Sequence, residues 1–154
     1  MGCDIHSHAE RRTVTGTWKK IPRVKPFDWR SYRLYGFLAG VRNYSESPVI
    51  AAPRGFPADA SAKVARDYRS WEGDAHSASW LSLAELLEYD YDQVMEDRRC
   101  MRQVGPQSFN GGSTCEPGEG EKLTVREFLG TDFFDELEKL KKVGAERVVF
   151  WFDN

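Results

Sequence analysis

The sequence predicts an α+β fold in a single domain over residues 1–154: a small mixed or antiparallel sheet that contains both terminal strands, packed by several helices. Three observations predict it. The chain opens on an alternation of polar and apolar residues, Cys3-Asp4-Ile5-His6-Ser7-His8. Its last segment is an apolar run, Val148-Val149-Phe150-Trp151-Phe152. Between the two lie stretches of helical period introduced by capping residues.

The first strand is expected over 3–12, followed by a turn at Thr13-Val14-Thr15-Gly16 and a second strand over 17–24, together a hairpin. Pro22 and Pro26 then break the pattern. Asp28 is placed to cap a helix over 32–41, in which Leu34, Phe37, Leu38 and Val41 recur at helical spacing and Gly40 stands near the end. Residues 43–61, with Pro48, Pro53, Gly55 and Pro57, read as a long loop, and loops of that length often carry function. A short helix over 61–71 and a polar loop over 72–79 follow. Ser82-Leu83-Ala84-Glu85 is a capping box that starts a helix with Leu83, Leu86 and Leu87 on one face. Residues 89–103 read as helix. Residues 105–121 contain five Gly and two Pro and are expected to be a flexible loop. Thr124-Val125-Arg126-Glu127 is a second capping box. Over 132–143 the spacing predicts an amphipathic helix with Phe133, Leu137 and Leu140 inward. Lys139, Lys141 and Lys142 complement the negative end of its dipole, and Gly144 ends it. The strand over 146–153 is apolar at both alternating sets of positions, as in a central strand buried on both faces.

Composition narrows the function classes. A net charge of −2 argues against long nucleic acid as a partner. No apolar run is long enough to span a bilayer, and the polar, acidic first residues do not read as a signal peptide, so no membrane partner is expected. Of 22 basic residues 14 are Arg, whose flat fork suits phosphate, carboxylate and ring stacking. Cys3, Cys100 and Cys115 have no regular spacing and include no Cys-x-x-Cys, so neither a disulfide framework nor a zinc knuckle is expected; reduced thiols in a cytoplasm fit best. The chain holds no Gly-rich phosphate loop, no Gly-x-Gly-x-x-Gly and no Gly-x-Ser-x-Gly.

Two constellations could carry chemistry. Alternation places Asp4, His6 and His8 on one side of the first strand, in steps of about 7 Å. Imidazole and carboxylate suit a divalent transition metal such as zinc or manganese. If the segment Asp74-Ala75-His76-Ser77-Ala78-Ser79-Trp80 folds over that strand, His76 joins the set and Asp153 adds a further carboxylate. Asp4, His6, His8 and His76 would then hold a metal, with Asp74 or Asp153 as general base. The plainer alternative is that these groups bond to one another and order the strand and loop. The second constellation is Arg42-Asn43 after a helix and Arg54 in a Pro-flanked loop. These could grip a phosphate while Trp80 or Phe56 stacks a base. Its plainer alternative is pairing of the arginines with Asp59 or Glu46.

The opening Met1-Gly2-Cys3-Asp4-Ile5-His6 resembles the start of a family of small bacteriophage and prophage proteins. The likeness continues through Phe37-Leu38-Ala39-Gly40-Val41-Arg42-Asn43, Pro53-Arg54-Gly55-Phe56-Pro57, His76-Ser77-Ala78-Ser79-Trp80-Leu81 and Val149-Phe150-Trp151-Phe152-Asp153-Asn154. Similar proteins often carry a second His where Ala78 stands here, which argues against an obligatory metal role for that block. The resemblance implies a setting, the cytoplasm of an infected bacterium, and a role in countering host defence. The expectation is a non-catalytic protein that sequesters a small nucleotide-like ligand, with no cofactor. His6, His8, Arg42, Asn43, Arg54, His76, Ser77, Ser79 and Trp80 would line its pocket, and the protein would be a homo-oligomer. The alternatives are a metal-dependent hydrolase built on the histidines and a protein-binding phage accessory factor.

Overall fold

The structure, a computed structural model, describes residues 2–106 and 108–154; the side chains of 101–105 and 108–111 are not among those described. The chain falls into two compact units, one of residues 1–30, 53–89 and 132–154 and one of residues 31–52 and 90–131.

The first unit is built on a four-stranded antiparallel sheet. Strands β1 (Asp4–Arg12), β2 (Trp18–Lys20), β3 (His76–Ser82) and β8 (Arg147–Asp153) lie in the order β2-β1-β8-β3. Both terminal strands are therefore in the sheet and adjacent. Asp4 lies opposite Asp153 and Glu10 opposite Arg147. With a partner on each side and a packed layer on each face, β8 is buried from Arg147 to Phe152. Apolar residues at successive positions satisfy both faces at once.

Three helices belong to this unit. In α2 (Ala62–Ser70), Val64 and Tyr68 stand one turn apart, and with Trp71 beyond the helix they pack on Val149, Trp151 and Ala78 of the sheet. Helix α3 (Leu83–Glu88) starts at the expected capping box: the Ser82 hydroxyl accepts from Glu85 N at 3.1 Å, and the Ser82 N–H donates to the Glu85 carboxylate at 2.8 Å. Leu83 and Leu86 are buried, but Leu87, expected on the same face, is exposed. Helix α5 (Thr131–Lys142) buries Phe133, Leu137 and Leu140, and Phe133 stacks on Phe27 at 5.3 Å.

The second unit holds α1 (Tyr32–Ala39) and α4 (Val125–Leu129) with two antiparallel ladders. One pairs β4 (Val94–Asp97) with β7 (Glu121–Thr124), and the other pairs β5 (Arg99–Gly105) with β6 (Ser108–Thr114). Ser31, not Asp28, caps α1, its hydroxyl accepting from Leu34 N, and Gly40 closes the helix. The helix expected over 89–103 is absent. Asp90 Oδ1 accepts from Asp92 N and turns the chain. From there Met95 is buried and Val94 exposed, the period of two that pairing with β7 requires. The stretch 105–121, expected as a loop, contains β6; Gln107 lies outside the described residues. The part after β6 folds back on β4. Glu96 accepts from the N–H groups of Gly118 and Gly120 at 2.7 and 2.8 Å, and a Cβ on Gly120 would stand 2.4 Å from the Asp97 carbonyl oxygen. Only glycine permits that approach.

The two candidate caps of α1 separate in unfolding experiments. Ser31→Ala is expected to lower stability by about 1 kcal/mol. Asp28→Ala, at an exposed position, should stay within about 0.5 kcal/mol of the parent in urea titrations.

Candidate functional site

One face of the sheet carries Asp4, His6, His8 and Glu10 of β1, while Ser7 lies on the other. His6 Nε2 lies 3.0 Å from Asp153 Oδ2, with its ring 3.9 Å from that of Trp71. His8 Nε2 lies 2.6 Å from Asp67 Oδ2 on α2, with its ring 5.6 Å from Trp151. Burial is the main cause of a His8 pKa below the usual value, although the Asp67 bond opposes it. Asp4 is held by both Arg30 nitrogens that face it, at 2.8 and 2.6 Å, and this guanidinium keeps its carboxyl below the ordinary range. Asp153 also accepts from Asp4 N at 3.1 Å.

His76 does not join them. It begins β3 opposite Phe152, with the rings 6.1 Å apart, and Phe152 alternates with Trp151 on β8. His76 therefore shares the sheet face of Ile5, Phe150 and Phe152, while His6 and His8 lie on the Trp151 face. The expected polar loop over 72–79 gives way to a strand from His76. One extra residue between His76 and Ser79 forms a bulge with Ser77 at φ 52°. His76 Nδ1 bonds Ser77 Oγ at 3.1 Å. Asp74 is exposed in the turn before the strand. Among the described residues no group of three or more His, Cys, Asp or Glu side chains has the placement to hold a metal ion.

The arginine constellation divides in the same way. Arg54 stays with Ser79 and Trp80. Its N–H donates to Ser79 Oγ at 3.0 Å, its guanidinium lies 4.6 Å from the Trp80 ring and donates to the Trp80 carbonyl, and both its Nη atoms reach Glu85. That pairing, with the capping bonds from Ser82, lowers the Glu85 pKa to about 2. Arg42 and Asn43 belong to the second unit. Arg42 donates to Tyr44 Oη at 3.2 Å, and the Asn43 amide brackets Ser47, accepting from its N–H and donating to its carbonyl at 3.0 Å each. Glu46 pairs with Arg98, and Asp59 pairs with Arg147 rather than with Arg42 or Arg54.

Arg147 anchors a site that the sequence reading passed over. On the His6 and His8 face, further along β1 and β8, Arg147 Nε donates to Glu10 Oε1 at 2.8 Å, and Nη1 donates to Asp59 Oδ1 at 2.9 Å. Glu10 is fully buried and Arg147 nearly so. The second Glu10 oxygen accepts from Ser61 N at 2.7 Å. The guanidinium sits 3.9 Å from the Trp18 ring and 6.0 Å from that of Trp80. Trp18 Nε1 donates to Asp59 Oδ2 at 3.0 Å, and Arg147 is the main cause of a lowered Asp59 pKa. Trp18, Asp59, Trp80 and Arg147 line a cleft of about 710 Å³ together with Arg12, Pro57, Ala58, Ser82 and Glu146. The available signal was an arginine heading an otherwise apolar strand, with a glutamate on the pairing strand.

Compared with known proteins, the chain matches no family model, no curated protein sequence and no solved structure.

Two outcomes follow from this geometry. Glu10→Gln leaves the buried Arg147 without its main counter-charge and should cost about 3–5 kcal/mol in urea unfolding. Replacing both residues with Met should recover much of that loss. For His8, the folded state holds the neutral ring, so the unfolded chain binds the proton first as pH falls below about 6.5. Its contribution to stability is full above that value and is lost as pH drops toward the lower folded value. His8→Gln should flatten this part of a stability-against-pH curve.

Proposed function

We propose that the protein captures a small, flat, anionic ligand of the nucleotide type in the Trp18–Trp80 cleft and holds it without chemical change. One observation carries this reading: two half-buried indoles and a neutralised guanidinium line a space of about 710 Å³. That volume suits a small molecule. Guanidinium groups already lie over the rings, Arg147 and Arg12 on Trp18 and Arg54 on Trp80, so a ligand ring would meet the half-buried indole edges together with the Arg12 guanidinium.

The charges sort themselves by what they already hold. Arg147 is matched by Glu10 and Asp59 and is nearly fully buried against Trp18, so it supports the base of the cleft rather than offering a free charge. Arg12 lies over the outer Trp18 face at 4.5 Å, and among the described residues its guanidinium has no carboxylate at ion-pair distance, which leaves it for a phosphate. Glu146 uses Oε2 to accept from Arg12 N, so Oε1 can accept from a ring amine or sugar hydroxyl. The Ser82 hydroxyl is committed to capping α3 and is a poor nucleophile there. With the resemblance to bacteriophage proteins, the biological role we propose is sequestration of a nucleotide immune signal in an infected cell.

Tryptophan fluorescence and calorimetric titration against mononucleotides and cyclic dinucleotides test this. Binding is expected to weaken about tenfold or more in Trp18→Ala, which removes the ring that holds the Arg12 guanidinium, and to persist in Trp18→Phe, which keeps an aromatic face for it. Ligand released by heat should have its starting mass. A released product, or undiminished binding in Trp18→Ala, would overturn the reading.

A further inference from the structure

We propose that Cys100 and Cys115 form a paired modification site, a cross-strand dithiol that closes to an intramolecular disulfide by exchange with a small-molecule disulfide. The site lies in the second unit and does not depend on the ligand reading.

The strand register creates the pair. Antiparallel pairing of β5 with β6 sets Arg99 opposite Thr114 and Cys100 opposite Ser113. The ladder continues past Thr114, where Cys115 N donates to the Arg98 carbonyl at 2.8 Å. Cys100 and Cys115 are thus diagonal neighbours on one face of the ladder, a pair whose Cα atoms typically lie about 7–8 Å apart, so closing the disulfide draws the two strands slightly together. Both converge on the same carbonyl, because the Cys100 thiol donates to Arg98 O at 3.8 Å. The Cys100 thiol is close enough to raise the pKa of the Cys115 thiol. Arg98 fixes the position of Cys115 from the other side, its Nε and Nη2 donating to the Cys115 carbonyl at 2.9 and 2.7 Å. Both cysteines are partly exposed, so a small reagent can reach them, whereas Cys3 is fully buried in the first unit.

The chemistry balances with the reagent named. One thiolate attacks the external disulfide, forms a mixed disulfide and expels one thiolate. The other cysteine then attacks the protein-side sulfur and expels the second. The protein loses two electrons and two protons, and the external disulfide is reduced to two thiols. Loss of solvation and the adjacent Cys100 thiol push the Cys115 pKa up, so exchange should quicken as pH rises.

The test treats the full chain with oxidised glutathione under mildly alkaline conditions, blocks the remaining thiols with a maleimide and maps peptides by mass spectrometry. The expected product lacks two hydrogens and yields a cross-linked peptide joining Cys100 to Cys115, with Cys3 alkylated only after denaturation. Cys100→Ser and Cys115→Ser should each stop at a persistent glutathione adduct on the remaining partner. Persistent adducts on the unmutated chain, no reaction, or a cross-link through Cys3 would overturn the proposal. The mapping of the unmutated chain decides the matter even if a serine variant folds poorly.

Discussion

The first unit depends on a charge buried inside its sheet. Glu10 and Arg147 face each other across β1 and β8, out of water. Removing two ions from solvent is costly, and their attraction repays that cost only when the remaining polar atoms are also matched. Here Ser61 N occupies the second carboxylate oxygen, Asp59 takes a guanidinium nitrogen, and Trp18 covers a guanidinium face. The pair therefore fixes more than itself. A slip of one residue between β1 and β8 would turn Arg147 to the opposite face and strand Glu10, so the pairing register is specified electrostatically as well as by apolar burial. The bond to Ser61 also sets where α2 begins.

The same arrangement shapes the cleft. Because Arg147 is neutralised by Glu10 and Asp59 and covered by Trp18, it supports the base of the cleft without presenting an open positive charge. In the proposed reading, a charged group would be met by Arg12 on the rim and a ring by the indoles. Arg54 braces the Trp80 edge through Glu85, so the hydrogen bonds that start α3 also support a wall of the cleft.

What could be read from the sequence was whatever depends on near neighbours. The terminal strands, the Ser82 capping box and the Phe133, Leu137, Leu140 stripe are each written within a few residues, and each is present. Strand β4 was not legible, because the residue types over 89–103 permit a helix and the partner that decides otherwise, β7, lies far along the chain. The site failed for a related reason. Which face of a sheet a residue takes depends on register and bulges, and both are set by pairing. His6 was correctly expected near Asp153, since the two strands carry regular alternation. His76 was expected beside His6, yet pairing with Phe152 puts it on the other face. Asp59 was anticipated as an arginine partner, but its partner, Arg147, was read as part of an apolar strand. Its match with Glu10 appears only once β1 and β8 are laid side by side.

The placement of β8 between β1 and β3 also sets the order in which a newly made chain can mature. Until Arg147–Asp153 has left the ribosome, β1 has only the short β2 at one edge, and β3 has no neighbouring strand. Glu10 has no Arg147 to pair with until that strand is made. The four-stranded sheet is complete only once its central strand has been made, because β1 and β3 are joined through β8 alone.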